Sequence, residues 1–164
     1  MNTMKDASAT CCPEFKVVKW DGTTHSWKNK LFIRETIPQI FHMPLPGTFG
    51  KKVIKLMDLA KKADAELPEE DLIMLCYELS SWKSVLLLGV SKVVAGAHHE
   101  NLSGKFISKV FDGPYSQIPK FIKEMDLYMK GLGKSAKKYY FYYAYCPKCA
   151  KKYGHNYMVI FSEI

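Results

Sequence analysis

The sequence predicts an α+β fold made of a tandem pair of strand–helix–strand–strand modules, with an antiparallel sheet and a ligand cleft. The first observation is that β-prone runs and one amphipathic helix follow the same order in each half of the chain. The second is a local similarity between residues 55–61 and 123–129, which indicates an internal repeat. Since one module alone leaves a sheet face uncovered, we expect the two modules to pair and leave a groove.

The length of 164 residues fits one domain or two small fused modules. We therefore treat residues 1–164 as a single domain with three consecutive parts. These parts are an N-terminal arm at residues 1–30, a first module at 31–95 and a second module at 101–164. A short linker that contains glycine and histidine separates the two modules.

The first module opens with β-prone residues from 31 to 46, which form one strand or a bent pair of strands. Pro38 lies inside this run, and a proline in a strand favours a bulge or an edge position. Thr48 is a suitable N-cap for a helix whose apolar residues recur at helical spacing. The apolar runs 72–77 and 85–90 then predict a β-hairpin.

The second module begins with a strand at residues 105–111, which a Gly-Pro-Tyr turn follows. Ser116 can cap the next helix, which has one apolar stripe and ends near Gly131. Two further strands are expected at residues 138–145 and 156–161. The segment between these strands contains a Cys-x-x-Cys motif, which we expect in a loop.

Composition and charge argue against several classes of protein. The hydrophobic content of 48% is sufficient for a real core, and the net charge of +8 is spread along the chain. Arginine, the usual residue for base and phosphate recognition, occurs only at Arg34, so we expect no direct contact with nucleic acid. The N-terminus has no signal-peptide pattern and no apolar run approaches a membrane span, so we expect a cytoplasmic protein without a membrane partner.

Several motifs resemble one known group of proteins. Residues 111–116 read Phe-Asp-Gly-Pro-Tyr-Ser before an amphipathic helix, similar to a turn of the gyrase-inhibitor-like (GyrI-like) small-molecule-binding superfamily. More closely, the chain resembles a bacterial subfamily labelled hydrolase and related to cyclopropanoid cyclopropyl hydrolases. The residues that carry this closer resemblance are 11–13, 41–45, Trp82 and 146–154. The resemblance implies the tandem fold and a cleft for apolar, often cationic or DNA-reactive, small molecules.

Glu78 is the candidate catalytic residue. Drug-sensing members of the superfamily carry a ligand-facing glutamate near the start of the last strand, whereas residues 155–158 here contain no acid. Glu78 and Trp82 lie four residues apart in the predicted hairpin, where an indole face would desolvate the carboxylate and raise its pKa. Such a carboxylate can act as a general acid or base on a water molecule. The alternative is a surface glutamate beside a core tryptophan.

Aromatic residues and one histidine are the candidates for binding the ligand. Tyr140 and Tyr142 share one face of the tyrosine-rich strand, and we favour that face as the wall of the cleft. Trp82 can stack on a flat ligand, while His42 lies in an apolar segment, where a histidine is more often a core residue. Tyr115 can anchor the turn before the helix or line the pocket. The alternative for the tyrosine-rich face is exposure to solvent.

Cysteines are the candidate metal ligands. Cys146 and Cys149 have the spacing of half a zinc knuckle. Cys12, with Cys11 or His155, can complete four ligands and tie the arm to the last hairpin. No cofactor is required for the expected chemistry, so the zinc would be structural. A redox-active thiol pair and a turn of reduced thiols are the two alternatives.

These features predict a small-molecule-binding protein that hydrolyses reactive xenobiotics with a strained ring, with Glu78 positioning the water. Its partner in this detoxification role would be a small aromatic or apolar molecule. One alternative is a non-enzymatic binder or sensor that sequesters apolar or cationic drugs. Another is an interaction protein centred on the Cys-x-x-Cys segment. The sequence leaves the substrate and the oligomeric state open.

Overall fold

The computed structural model describes residues 12–45 and 47–164, so that Cys11 lies outside the described residues. The helices are α1 (Val17–Trp20), α2 (Thr48–Lys62), α3 (Ile118–Gly131) and α4 (Pro147–Tyr153). The strands are β1 (Thr23–Ile40), β2 (Met43–Pro44), β3 (Met74–Ser80), β4 (Lys83–Gly89), β5 (His98–Asp112), β6 (Lys138–Tyr143) and β7 (Tyr157–Glu163). None of these helices is long and apolar enough to cross a membrane.

Six antiparallel strands close into a barrel. Their order is β1-β4-β3-β6-β7-β5, and β5 pairs back with β1. The closing pair is long, because Thr23 lies opposite Ser108 and Arg34 lies opposite His98. The short β2 adds a two-residue pairing at the end of β1. Closure of the barrel pairs the backbone groups that an open sheet would leave exposed along its edges.

Side chains alternate between the inside and the outside of the barrel wall. Apolar and aromatic side chains fill the interior, and at most 1% of the side chain is exposed in Phe32, Leu75, Val85, Leu87, Phe106, Val159 and Phe161. Full burial of a side chain of this size contributes about 1.5–3 kcal/mol relative to exposure. The interior is therefore the main hydrophobic core of the protein.

Two amphipathic helices cover the outer face of the barrel. In α2, Leu56 is fully buried and packs with Ile33 and Ile37 of β1. In α3, Met125 is fully buried and packs with Ile160 of β7. Each helix thus pairs its apolar stripe with the outward-facing apolar side chains of the strands.

The chain before β1 covers one end of the barrel, which we call the closed end (Phe15, Trp20 and Tyr142). Trp20 is 8% exposed, and its ring centroid lies 5.8 Å from that of Tyr142. The Ser108 hydroxyl donates a hydrogen bond of 2.5 Å to the Trp20 carbonyl oxygen. His25 Nε2 lies 2.7 Å from the same hydroxyl. These contacts fix α1 over the barrel interior.

Apart from the short β2 and α4, the elements follow in the order β1-α2-β3-β4 and then β5-α3-β6-β7. Descent of the halves from one duplicated module stays a prediction. β1 begins at Thr23, inside the segment assigned to the arm, and β5 begins at His98, inside the linker. Both strands extend this far because they pair with each other. The predicted cysteine loop contains α4, with Pro147 in its first turn and Gly154 in the left-handed conformation at its end.

Candidate functional site

The end of the barrel opposite the closed end carries polar side chains on its inner wall, and we call it the open mouth. Four side chains there lie two residues from a barrel-filling side chain on the same strand. They are Arg34, Tyr77, Glu100 and Lys138. Because side chains alternate along a strand, all four point inward, from β1, β3, β5 and β6. We call these four residues the mouth cluster.

Glu100 is the centre of the mouth cluster. The Tyr77 hydroxyl donates to its carboxylate and lies 3.0 Å from both oxygens. Arg34 Nε lies 3.3 Å from Glu100 Oε2, within the distance of an ion pair. The buried Nε–H does not point at that oxygen, and Nε has no hydrogen-bond partner among residues 12–45 and 47–164. The cluster therefore combines an oriented carboxylate with a buried donor that no described residue satisfies.

The mouth cluster remains accessible to small molecules. The side chains of Arg34 and Glu100 are 34% and 25% exposed. Leu79 and Trp82, at the same end of the barrel, are both 53% exposed. A ligand can therefore reach the carboxylate from solvent at the open mouth.

Lys138 lies against two tyrosine rings. Its Nζ is 3.4 Å from the Tyr77 ring centroid and 4.8 Å from that of Tyr140, within the range of cation–π attraction. Burial lowers the pKa of Lys138, while the charges of Glu100 and Glu163 oppose this shift. Burial also raises the pKa of Tyr77, and its hydrogen bond to Glu100 adds to the increase. The Tyr77 hydroxyl therefore keeps its proton and remains a donor to Glu100 at neutral pH.

This arrangement suits both binding and proton transfer. The Glu100 carboxylate has several lone pairs, and one hydroxyl donor leaves some of them for a water molecule or a substrate proton. The rings of Tyr77 and Tyr140 are 5% and 3% exposed and form the buried floor of the open mouth, whereas Leu79 and Trp82 at the same end offer exposed apolar surface. Arg34 and Lys138 supply positive charge where negative charge could develop during a reaction.

The structure brings Glu78 and His42 together, but outside the barrel. Glu78 follows Tyr77 on β3, so its side chain points to the opposite face. His42 Nδ1 lies 2.7 Å from Glu78 Oε1, and Gln39 Nε2 donates to the same oxygen at 2.9 Å. Ser81 Oγ lies 3.3 Å from His42 Nε2, which completes a serine–histidine–carboxylate arrangement. We call Ser81, His42 and Glu78 the surface array.

The surface array is open to solvent. The side chains of Glu78 and His42 are 47% and 61% exposed. The environment of Glu78 therefore differs from the desolvated one expected from the sequence. The reason is that the indole of Trp82 packs on Phe41, with ring centroids 5.0 Å apart.

The turn that carries His42 is conformationally strained. Phe41 and His42 have φ angles of 46° and 69°, in the left-handed region that side chains with a Cβ rarely adopt. Two backbone hydrogen bonds hold the turn against the β3–β4 connection, from Gln39 N to Trp82 O at 2.9 Å and from His42 N to Ser81 O at 3.0 Å. The same turn leaves Phe41 and Trp82 70% and 53% exposed.

The remaining candidates for ligand binding lie in separate places. Tyr140 belongs to the wall of the open mouth, 5.4 Å from Tyr77 between ring centroids. Tyr142 lies at the closed end, where burial raises its pKa to about 12. Tyr115 lies outside the barrel before α3 and lines a surface depression of about 490 Å³ together with His155. The candidates therefore do not form one site.

Three of the candidate metal ligands come together. The sulfur atoms of Cys12, Cys146 and Cys149 all lie within 4.8 Å of one another, and we call these residues the cysteine cluster. His155, considered as a fourth ligand, instead places Nδ1 2.7 Å from Asp112 Oδ2. The cysteine cluster joins the segment before α1 to α4.

None of the four residues of the mouth cluster was predicted from the sequence as a site residue. Its members are charged or polar groups at inward positions of strands, where burial is costly unless the groups are paired. One available signal was Arg34, a charged residue inside the β-prone run of the first strand. Glu100 gave no such signal, because the residues around it were predicted to form a linker. The inward and outward alternation of side chains along β5 was therefore not considered there.

The chain matches one family model in sequence and several solved structures in fold. The family model described as bacterial hydrolase matches residues 2–164. No curated protein matches the chain. Among solved structures, the crystal structure of the EcmrR C-terminal domain is similar with a TM-score of 0.65 at 8% identity. That similarity covers 88% of this chain and 96% of that chain.

Two crystal structures of proteins from Listeria innocua are also similar. One is an uncharacterized conserved protein, with a TM-score of 0.59 at 12% identity, covering 85% of this chain and 90% of that chain. The other is a hydrolase, with a TM-score of 0.57 at 11% identity, covering 87% of this chain and 92% of that chain. At these identities the similarity shows a shared mixed α/β fold and leaves function to be argued from the site.

Proposed function

Because the chain belongs to the bacterial hydrolase family, we propose that it binds a small aromatic or apolar molecule at the open mouth and hydrolyses it there. The observation that carries this proposal is the Glu100 carboxylate, which Tyr77 and Arg34 hold at the mouth of a barrel with an apolar interior. A charged group in such a place costs free energy even when it is paired, which favours a functional role over a stabilising one. A hydrolase with a similar fold supports the assignment.

The proposed ligand cleft lies where the two predicted modules meet. Arg34 and Tyr77 belong to strands of the first half, and Glu100 and Lys138 belong to strands of the second half. A ligand in this cleft would contact both halves of the barrel. This placement supports the tandem arrangement as the basis of the site.

In the proposed reaction, Glu100 acts as a general base on water. It accepts a proton while the water oxygen forms a bond to an electrophilic carbon of the substrate. The bond between that carbon and the leaving atom breaks, and Arg34 stabilises the negative charge on the leaving atom. Glu100 then returns its proton to the leaving atom, which restores the starting state. Tyr77 keeps the carboxylate oriented throughout.

The substrate class follows from the walls of the open mouth. The exposed side chains of Leu79 and Trp82 favour an apolar or flat molecule, and Lys138 favours one with electron-rich substituents. The narrower proposal is a cyclopropane-bearing, DNA-alkylating compound, as the resemblance to cyclopropanoid cyclopropyl hydrolases implies. In such a compound the electron pair of the broken ring bond moves into an attached conjugated system, and the proton from Glu100 goes to the atom of that system that carries the negative charge. Relief of ring strain lowers the barrier to attack by water.

Substitution of Glu100 by Gln tests the proposed function. The amide keeps the size of the side chain but cannot act as the base, so hydrolysis of a cyclopropane-bearing alkylator is expected to fall at least about 100-fold. Product formation is followed by chromatography, and binding of the alkylator is measured separately by quenching of intrinsic fluorescence. Glu163→Gln, a change of a second carboxylate near Lys138, serves as the control and should lose less than about tenfold. Unchanged turnover in Glu100→Gln would overturn the assignment.

The surface array is a second candidate for the catalytic centre. Its hydrogen bonds of 2.7 Å and 3.3 Å favour a role in which Glu78 orients His42, and His42 removes a proton from water or from Ser81. This candidate retains Glu78 as the essential carboxylate. Loss of turnover in Glu78→Gln, with normal turnover in Glu100→Gln, would assign the chemistry to the surface array.

Binding without turnover is the alternative to an enzyme. The exposed Leu79 and Trp82 at the open mouth support a binder as well as a hydrolase, since apolar contact with a ligand needs no chemistry. If the wild-type protein binds the alkylator tightly and releases no product, the chain sequesters or senses apolar or cationic drugs. The two measurements on the wild-type protein, binding and product formation, separate these functions.

A further inference from the structure

We propose that Cys12, Cys146 and Cys149 bind a zinc ion that fastens the segment before α1 to α4. The three sulfur atoms lie within 4.8 Å of one another. Thiolates 2.3 Å from zinc in a tetrahedral site lie about 3.8 Å apart, so modest movements of the side chains produce the required geometry. Cys149 is 1% exposed, whereas Cys12 and Cys146 are partly exposed, so the ion can enter from the surface.

Hydrogen bonds around the cysteine cluster suit a metal-bound thiolate. The Cys146 N–H donates to the Cys12 sulfur at 3.4 Å. Donors directed at a ligating sulfur stabilise its negative charge and fix its orientation. The Tyr153 hydroxyl donates to the Cys12 carbonyl oxygen at 3.3 Å. Hydrogen bonds from Cys146, just before α4, and from Tyr153 of α4 therefore position Cys12.

Cys12 is distant in sequence, yet its sulfur lies beside those of the Cys-x-x-Cys motif. This proximity favours a metal site over a redox-active thiol pair. A dithiol–disulfide couple needs only Cys146 and Cys149, which are close in sequence. Cys12 lies 134 positions before Cys146 and still places its sulfur in the same cluster. Among the metals that proteins bind, sulfur-rich tetrahedral sites are typical of zinc.

Cys11, the predicted fourth ligand, precedes Cys12 in the sequence and lies outside the described residues. His155 is not assigned to the site, since it lies 2.7 Å from Asp112 and its ring stacks on Tyr157 at 4.8 Å. If Cys11 does not bind, a water molecule completes the coordination. Substitution of Cys11 separates these two cases.

The zinc ion would keep the closed end in place. Cys12 shortly precedes Phe15, whose backbone N–H donates to the Tyr145 hydroxyl at 2.8 Å. The Phe15 ring lies 6.3 Å from that of Tyr142, between centroids. Fixing Cys12 to α4 shortens the free chain that leads to these contacts and reduces the entropy lost when they form. Removal of zinc is therefore expected to loosen the cover of the barrel while the barrel itself stays folded.

Metal analysis of the full-length protein, purified without chelators, tests the site. We expect about one zinc ion per chain by mass spectrometry of the metals. Replacement by cobalt(II), which needs no variant, is expected to give the intense thiolate-to-cobalt absorption and the visible bands of a tetrahedral site. Cys12→Ser and Cys149→Ser should weaken cobalt binding more than about 100-fold, because loss of an outer hydrogen-bond partner alone costs 10–100-fold. Cys76→Ala, a change on β3 outside the cysteine cluster, should leave cobalt binding unchanged.

Several results would overturn the proposal. Absence of stoichiometric zinc together with absence of a thiolate–cobalt band in the wild-type protein is one. Cobalt affinity in Cys12→Ser equal to that of Cys76→Ala is another. Trypsin cleavage after Lys16 or Lys19 is expected to accelerate when a chelator removes the zinc, and an unchanged rate would overturn the role as a fastener of the closed end.

Discussion

At the scale of single residues, neighbouring positions on one strand serve opposite sides of the barrel wall. Arg34 points inward to Glu100, whereas Glu35 points outward and accepts ion pairs from Lys52 and Lys55 of α2. The Glu35 side chain is 12% exposed. Burial acts to raise the pKa of Glu35, but the hydrogen bonds and charges of Lys55 and Lys52 outweigh it and hold the pKa below the ordinary value of 4.5. The fold therefore stabilises the ionised form of Glu35.

Substitution of Glu35 by Gln is expected to lower the free energy of unfolding by about 1 kcal/mol at pH 7, because two partly exposed ion pairs are lost. Since the pKa of Glu35 is lower in the folded than in the unfolded protein, its contribution is present above pH 4.5 and is lost as the pH falls through the folded value. Urea unfolding at a series of pH values measures this change. Glu124→Gln, in an exposed pair with Lys120, is the control and should change stability by less than about 0.5 kcal/mol. A deficit in Glu35→Gln that does not depend on pH would contradict the argument.

At the scale of elements, α1 depends on tertiary packing for its existence. Val17–Trp20 forms a single turn, which is too short to be stable as an isolated helix. Its residues face opposite environments, since Trp20 is 8% exposed and Val18 is 92% exposed. The Trp20 ring lies 5.8 Å from the rings of Tyr142 and Phe161, between centroids. The element is held by its tryptophan, which covers the closed end.

Truncation of Trp20 to Ala should lower the free energy of unfolding by about 3–5 kcal/mol, because it removes a large buried side chain and leaves a cavity. Val18→Ala, in the same turn of helix, is the matched control and should change stability by less than about 0.5 kcal/mol. Both values come from the midpoint and slope of urea unfolding followed by circular dichroism. Comparable losses in the two variants would show that packing of the Trp20 ring is not what holds α1.

At the scale of the whole molecule, closure of the barrel joins the two halves of the chain. β1 pairs with β5 along one junction, and β3 meets β6 at the other, where Cys76 lies opposite Phe141. The interior between these junctions is filled by side chains of both halves. The interior is tightly packed around Gly89 of β4. A Cβ atom at this position would lie 2.8 Å from Ile73 Cγ2 and 3.0 Å from Leu67 Cδ1.

A methyl group at Gly89 is therefore expected to strain the barrel. Gly89→Ala should lower the free energy of unfolding by about 1–3 kcal/mol, because the added atom overpacks a filled interior. Gly131→Ala, at the end of α3 where no described atom lies within 4 Å of the new Cβ, should be neutral or stabilising by up to about 1 kcal/mol. Thermal unfolding in a calorimeter compares the two. An equal or higher midpoint temperature for Gly89→Ala would refute tight packing at this position.

Much of the fold followed from local patterns in the sequence. The apolar spacing of α2 and α3 and the β-prone runs of β3, β4, β6 and β7 depend on residues close in the chain. An antiparallel mixed α/β fold was therefore predictable and is confirmed. Spacing pointed to Cys146 and Cys149, and Cys12 was added because residues 11 and 12 form the only other cysteine pair in the sequence, although the zinc remains a proposal. The boundaries of β1 and β5 were less predictable, because those strands extend wherever a partner strand is available.

The amino-acid sequence by itself determined the amphipathic helices α2 and α3, the β-prone runs and the residue types available for chemistry, because periodicity is a local property. Tertiary structure alone decided which of those residues meet. Arg34, Tyr77, Glu100 and Lys138 come from four strands, and only barrel closure and strand register bring them together. Tyr77 and Glu78 illustrate the physical reason: adjacent residues on a strand point to opposite faces, so the register determines which of the two enters the barrel.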